Sequence, residues 1–104
     1  MNFSEYQDNI RPYIDYHLEL GPFQIILDLT NNVGILSNKL YNVLNNGENG
    51  VFSDEEKAKV AISLGDILNN ITNMASDLNI SLDEIIALNL KKIELQNKRK
   101  NLNT

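Results

Sequence analysis

Residues 25–44, IILDLTNNVGILSNKLYNVL, decide the fold class of this chain. Apolar residues recur there at intervals of three and four, the spacing that places them on one face of an α-helix. They are Ile25, Ile26, Leu29, Val33, Leu36, Leu40, Val43 and Leu44. The centre of the segment nevertheless holds Asn31, Asn32 and Gly34, which are poor residues for a helix interior. The segment predicts a core-facing helix from about Phe23 to Leu44 whose middle serves a purpose other than helix stability.

The chain on the N-terminal side of this segment predicts a first helix from about Ser4 to about Leu18. Ser4 is a plausible N-cap with Glu5 following it, and Pro12, which lies past the first turn, should kink or divide the helix. Gly21 and Pro22 then end one helix and start the next. The loop NNGENG follows the second helix.

Two further helices begin at capping boxes. Ser53 with Glu56 opens the third, and Ser81 with Glu84 opens the fourth, where Ile80 and Ile85 are also placed to form a hydrophobic staple. The third helix carries a predicted core stripe of Val60, Leu64, Ile67, Leu68, Ile71, Met74, Ala75 and Leu78. Short loops between long amphipathic helices predict an all-α, four-helix antiparallel bundle.

Size and composition restrict the class of protein. A chain of 104 residues, 42% of them hydrophobic, suits a single domain over residues 1–104. Self-association would help so small a domain bury its apolar surface. Cysteine is absent and His17 is the one histidine, so any metal ion would be held by oxygen atoms. No run approaches the roughly 18 apolar residues of a membrane span, and the N-terminus lacks a signal-peptide pattern. We therefore expect a cytoplasmic protein with no membrane partner.

Charge is distributed unevenly along the chain. Residues 1–90 contain 13 acidic and 4 basic residues, whereas residues 91–104 contain 5 basic residues and 1 acidic residue. The excess of acidic residues in 1–90 argues against duplex nucleic acid as a partner. The basic end either complements the dipole at the C-terminus of a helix or forms a phosphate-binding edge.

Several segments, taken in order, resemble the MazG-like nucleoside triphosphate pyrophosphohydrolases, which are all-α proteins. FSEYQ is similar to the family's N-terminal helix start, and FSDEEKAKVAISLGDILNNI is similar to its third helix. LNISLDEIIALNLKKIELQNKR resembles its closing helix, with the family's Asn-x-x-Lys on Asn89 and Lys92. The resemblance covers nearly the whole chain. It implies a MazG-like bundle that forms a dimer or a tetramer with sites near subunit contacts.

In that family, paired carboxylates on the two central helices bind magnesium, which holds the triphosphate. The family's Gly-Glu-x-Gly-Glu resembles residues 31–35, NNVGI, and its Glu-Leu-Gly-Asp resembles residues 63–66, SLGD. The two glycines that would let these helices approach each other are kept. Of the four acids, Asp66 alone remains, because Asn32, Ile35 and Ser63 replace the others.

The loss of charge predicts the loss of the metal. Magnesium gives up its water reluctantly and needs charged oxygen ligands in return. We therefore expect no cofactor and negligible activity by the family mechanism. An alternative is a displaced magnesium site, in which Asp28, four residues before Asn32, joins Asp66 across the helix interface.

The leading functional hypothesis is a catalytically degenerate MazG-like protein, suited to a phage or mobile element, that binds or sequesters a nucleotide or nucleotide-derived ligand without hydrolysing it. Its predicted ligand-binding residues are Asn32, Lys39, Asp66, Asn70, Asn73, Asn89 and Lys92. One alternative is an active pyrophosphohydrolase, converting NTP to NMP and pyrophosphate at the displaced site. The other is a structural or protein-binding module whose former cleft is filled. The chain contains 17 asparagines, so composition alone explains these amides equally well.

Overall fold

The computed structural model describes residues 1–13, 21–46 and 50–102, and every regular element within these ranges is helical. The α-helices are α1 (Phe3–Ile10), α2 (Pro22–Asn46), α3 (Asp54–Asp77) and α4 (Leu82–Leu102). The predicted all-α class and its four helices are confirmed. Within the described residues, no helix combines the length and the apolarity needed to cross a membrane.

The first helix differs from its prediction at the N-terminus. Asn2, rather than Ser4, is the N-cap, because its extended backbone lets its side chain accept a hydrogen bond of 2.8 Å from the Glu5 N–H. The helix ends at Ile10 and a 3₁₀ turn, Arg11–Tyr13, contains Pro12. The predicted helix end at Leu18, the histidine at position 17 and residues 47–49 of the predicted loop lie outside the described residues.

The capping box at the start of α3 is confirmed in both directions. The Glu56 N–H donates to Ser53 Oγ at 3.1 Å, and the Ser53 N–H donates to Glu56 Oε1 at 2.9 Å. Hydrogen bonds donated to the Glu56 carboxylate by the backbone N–H and the hydroxyl of Ser53, together with nearby Lys59, lower the pKa of Glu56 below its ordinary value of 4.5. At the start of α4, the Glu84 N–H donates to Ser81 Oγ at 3.1 Å, which is the first half of the second predicted box.

The turn between α3 and α4 is a Schellman motif. Asn79 adopts a positive φ of 57°, while the Asn79 N–H donates to Ser76 O at 3.1 Å and the Ile80 N–H to Ala75 O at 2.8 Å. Asparagine tolerates this left-handed conformation better than most residues. The motif ends α3 and reverses the chain within a few residues.

Buried Gln7 of α1 clamps this turn from outside. Its Nε2 donates to Ser76 Oγ at 3.1 Å and to Ile80 O at 3.0 Å, while its Oε1 accepts from the Leu82 N–H at 3.0 Å. One amide thus satisfies a carbonyl at the end of the turn and an N–H in the first turn of α4. The clamp fixes α1 against both helices.

The core of the described residues is small. Ile25, Ala75 and Leu82 are the hydrophobic residues buried there. The predicted core stripes are therefore wrong in part, since six of their members are exposed: Ile26, Val33, Leu44, Leu64, Ile71 and Leu78. α2 packs against α3, and α1 packs against α3 and α4, which leaves one side of the α2–α3 pair uncovered.

The single chain is open rather than compact. Its radius of gyration is 17.2 Å, whereas about 13 Å is typical of a compact domain of this length. Its accessible surface is 8251 Å², against about 5,900 Å² expected for a compact monomer of this mass. An excess of about 2,300 Å² follows, which exceeds the roughly 800 Å² per partner of a standard protein–protein interface.

Candidate functional site: the seam between α2 and α3

Two polar contacts join α2 and α3 across their packed faces. Asn32 Nδ2 donates to Asn70 Oδ1 at 2.7 Å, and Lys39 Nζ donates to Ser63 Oγ at 2.9 Å. Residue numbers rise along α2 and fall along α3 between the contacts, and seven residues separate them on each helix. The two helices therefore run antiparallel in one fixed register.

The Asn32–Asn70 pair answers why the middle of α2 carries amides. Asn70 is 6% exposed and Asn32 is half-buried. An amide buried at a helix interface needs a partner, because an unpaired polar group there costs about 1–3 kcal/mol. Asn32 stands where the resemblance places a carboxylate, and its Nδ2 donates to Asn70 across the seam.

The second polar contact of the seam, between Lys39 and Ser63, lies two turns further along. Ser63 is 4% exposed, and its hydroxyl accepts the bond from the half-buried Lys39 ammonium. A serine therefore stands where the resemblance places an acid and binds a lysine of the same chain. Beyond it, Lys39 also lines a shallow groove of about 180 Å³ with Val43, Glu56 and others.

The carboxylates predicted for a displaced magnesium site lie apart. Asp28 and Asp66 are both exposed, and Asp28 Oδ1 accepts a bond of 2.9 Å from Gln24 on its own helix. The antiparallel register places Asp28 level with residue 74 of α3, eight residues from Asp66, which corresponds to about 12 Å along the axis at 1.5 Å per residue. A magnesium ion binds its ligands at about 2.1 Å, so one ion cannot contact both carboxylates.

The described residues therefore do not fit a magnesium ion in this seam. Within the described ranges, no cluster of three or more His, Cys, Asp or Glu side chains is placed to hold a metal. Two neutral oxygens at the seam, Asn70 Oδ1 and Ser63 Oγ, already accept hydrogen bonds.

Gly34 and Gly65 do not have the role that the resemblance implies. A Cβ added to Gly34 or to Gly65 would meet nothing within 4 Å, so neither glycine allows a close helix approach within one chain. At 100° per residue, the Gly34 position faces about 160° away from Asn32 on α2. The Gly65 position faces about 140° away from Asn70 on α3. That expectation is corrected, because both positions face outward.

Asn73 retains an unused acceptor. Its Oδ1 is buried without a hydrogen-bond partner among the described residues. Thr72 beside it is fully buried, and its hydroxyl donates to Leu68 O at 2.7 Å within α3. Of the predicted amides, Asn32 and Asn70 are thus brought together, while Asn73 has an open acceptor one turn beyond them.

Asn89 and Lys92 lie on α4, away from the other predicted ligand residues. Both are exposed, and α4 packs chiefly against α1 rather than against the α2–α3 pair. Lys92 lines a groove of about 360 Å³ along α4 with Lys91, Leu95, Arg99 and their neighbours. The predicted ligand residues therefore fall into two separate groups within one chain.

The α2–α3 hairpin has two unlike sides. At 100° per residue, six exposed apolar residues, three from each helix, fall on the same side of the Asn32–Asn70 contact. We call this the apolar face, and it consists of Ile26, Val33, Leu44, Leu64, Ile71 and Leu78, which are 39–63% exposed. The opposite side is mostly polar and carries Asp66 and Asn69, with Ile35 and Ile62 among them.

Gln7 is the residue that the sequence reasoning missed. Its partners are 69 to 75 residues away along the chain, and no local pattern signals contacts of that separation. Its buried position could be inferred only from the way α1 returns to the α3–α4 turn.

Comparison of this chain with protein-family models, with curated proteins and with solved structures gives no match.

Proposed function

We propose that this chain is a self-assembling structural module of MazG-like type, in which the apolar face of the α2–α3 hairpin binds the same face of a second copy. The apolar face is the observation that carries this proposal. Three exposed apolar side chains from each helix lie on one side of the hairpin. The order of the MazG-like segments in the sequence supports the assignment of type.

The surface excess supports a second copy as the partner. About 2,300 Å² more surface is exposed than in a compact monomer of this mass, and an isologous interface covers the same patch on both chains. Leu64, Ile71 and Leu78 repeat every seven residues, the spacing with which helices pack along a seam. Two hairpins placed face to face would bury these residues in a four-helix core.

The side-chain hydrogen bonds within the α2–α3 seam favour a structural role over hydrolysis of a nucleotide. Asn32 and Ser63 stand where a MazG-like enzyme has acids, and both hydrogen-bond within the chain. Hydrolysis by the family mechanism needs a metal to hold the triphosphate and activate water, and the seam offers no cluster of acids among the described residues.

Light scattering coupled to size exclusion tests the assembly. We expect a mass of at least twice 11.8 kDa for the native chain. Leu64→Glu should halve the mass, because a carboxylate at this position would be buried in the interface without solvation. The matched control is Ile62→Glu, since Ile62 is 66% exposed on the opposite side of α3.

Circular dichroism of both variants establishes that α-helix content is kept. A native chain that stays monomeric across the concentrations of the experiment contradicts the proposal, and so does an equal loss of mass in both variants.

A pyrophosphate-release assay addresses the enzymatic alternative. Canonical and modified NTPs are incubated with the chain and Mg²⁺ or Mn²⁺, and we expect no turnover above the buffer. Turnover that Asp66→Ala abolishes would contradict the filled-seam interpretation, because it requires Asp66 and Asp28 to hold an ion.

Nucleotide binding is a second candidate function, favoured by the groove along α4. Lys91, Lys92 and Arg99 line it, and three cations on one surface suit a polyphosphate. A thermal-shift screen with tripolyphosphate and ATP, without metal, tests this function, since a ligand that prefers the native state raises the melting temperature.

The screen also includes Lys92→Ala and the control Lys98→Ala, which lies outside the groove residues. A shift that Lys92→Ala removes and Lys98→Ala keeps supports nucleotide binding. The absence of a shift with either ligand rejects it.

A further inference from the structure

Helix α4 extends beyond the rest of the chain. Leu82 at its start is 3% exposed and packs under the Gln7 clamp, whereas every residue from 86 to 102 is exposed. At 1.5 Å per residue, this exposed part is about 25 Å long. Isolated helices of that length are marginal in water, because most helical stability in proteins comes from packing.

Two lines of apolar residues run along the exposed part of α4. Leu88, Leu95 and Leu102 form one of them, and the other, on the opposite side, is continuous with the buried start of the helix. Ile86, Leu90 and Ile93 continue the line that buried Leu82 begins, within about 80° of the helix circumference. They are 39%, 55% and 53% exposed respectively. The face that packs inside the chain at the start of α4 therefore continues outward with nothing against it among the described residues.

Charge along α4 is polarised. Asp83 and Glu84 lie in its first turn, and Arg99 and Lys100 lie in its last. In a parallel pair of α4 helices, the basic ends would lie side by side and repel. In an antiparallel pair, the acidic start of each helix would lie beside the basic end of the other, which favours that orientation.

We propose that α4 pairs antiparallel with α4 of a second copy of this chain, through Ile86, Leu90 and Ile93. A pairing centred between Lys91 and Lys92 places Leu90 opposite Ile93 of the other copy. The same register places Asp83 opposite Lys100. The apolar contact lies in the middle and the opposite charges lie at both ends.

This interface uses a different surface from the apolar face of the hairpin, and it stands whether or not that face associates. If both interfaces form and their two-fold axes meet at right angles, the two isologous contacts generate a closed tetramer. If α4 alone associates, the product is a dimer.

Disulfide cross-linking tests the orientation, and the chain suits it because it has no cysteine. We would mix one chain carrying Ile86→Cys with another carrying Asn97→Cys under mild oxidation, because the proposed register places these two positions opposite each other on the facing sides of the helices. The antiparallel pair predicts a cross-linked product in the mixture and little product from either variant alone. Cross-linking of each variant with itself would indicate parallel helices and overturn the proposal.

A matched pair of substitutions tests the face. Ile93→Asn removes an apolar contact on the proposed face, while Leu95→Asn removes one that is 50% exposed on the opposite side of α4. We expect Ile93→Asn to weaken association by about tenfold or more, since each dimer loses two buried isoleucine side chains. Leu95→Asn should change it little.

Light scattering over a dilution series measures both variants, with circular dichroism as the check on folding. The α4 pair is supported if Ile93→Asn alone halves the mass, from tetramer to dimer or from dimer to monomer. Equal behaviour of the two variants overturns it. The hairpin proposal is judged separately, by Leu64→Glu, so failure of one interface is distinguishable from failure of the other.

Discussion

Asn32 Nδ2 donates to Asn70 Oδ1 at 2.7 Å across the α2–α3 seam. The pair is the point at which two helices, 38 residues apart along the chain at these positions, hold a common register. A seam made of apolar residues alone would allow the helices to slide by a turn. A paired amide opposes such a slip, because any other register leaves two polar groups unpaired.

The amide pair predicts a non-additive mutational cycle. Asn32→Leu leaves buried Asn70 without its partner, so we expect the free energy of unfolding to fall by about 1–3 kcal/mol. Asn32→Leu combined with Asn70→Leu should recover most of that loss, since both polar groups are gone. Urea unfolding of the four proteins measures the coupling. Additive losses would show that the two side chains do not act as a pair.

The outward-facing glycines predict stabilisation by alanine. Gly34→Ala and Gly65→Ala each add a Cβ that meets nothing within 4 Å, and a glycine in a helix interior costs about 0.5–1 kcal/mol relative to alanine. We expect each variant to raise the free energy of unfolding by about that amount. Thermal unfolding at a fixed chain concentration measures it. A decrease at either position would mean that the glycine is in close contact with another chain.

The Gln7 clamp predicts a large effect from a residue near the N-terminus. Gln7→Leu removes three hydrogen bonds and leaves the buried Leu82 N–H without an acceptor. We expect a loss of about 2–3 kcal/mol in the free energy of unfolding. The control is Gln24→Leu, which removes one bond within α2, and its loss should stay under about 1 kcal/mol. Equal losses in urea unfolding would contradict the clamp.

The capping box predicts a pH-dependent contribution to stability. The pKa of Glu56 is lowered in the folded chain by the Ser53 hydrogen bonds. Its contribution is therefore present above its unfolded pKa, near 4.5, and is lost as the pH falls through the lower folded pKa. The melting temperature of the native chain should thus fall more steeply below that pH than that of Glu56→Gln, which keeps a capping side chain without a titrating carboxyl. Parallel pH profiles for the two proteins would contradict this assignment.

Local chemistry made much of the fold predictable. Ser53 with Glu56 defined the start of α3 and Ser81 that of α4, because capping depends on residues three apart. The ends of α1 were less accessible, since Asn2 and Ser4 are both good N-caps and the backbone of the folded chain selects between them. The seam amides were recognised as unusual, yet their partners could not be assigned, because α2 and α3 have many antiparallel registers compatible with the same apolar spacing.

The sequence by itself determined the all-α class, the capping box at Ser53 and the Ser81 cap of α4, because helix periodicity and capping are properties of neighbouring residues. Tertiary structure alone decided that Asn32 meets Asn70, that Lys39 meets Ser63, that Gly34 and Gly65 face outward, and that Gln7 clamps the α3–α4 turn. Each of these depends on how one helix is rotated and shifted against another. That arrangement is set by the sum of all packing contacts and is not encoded in any single stretch of the chain.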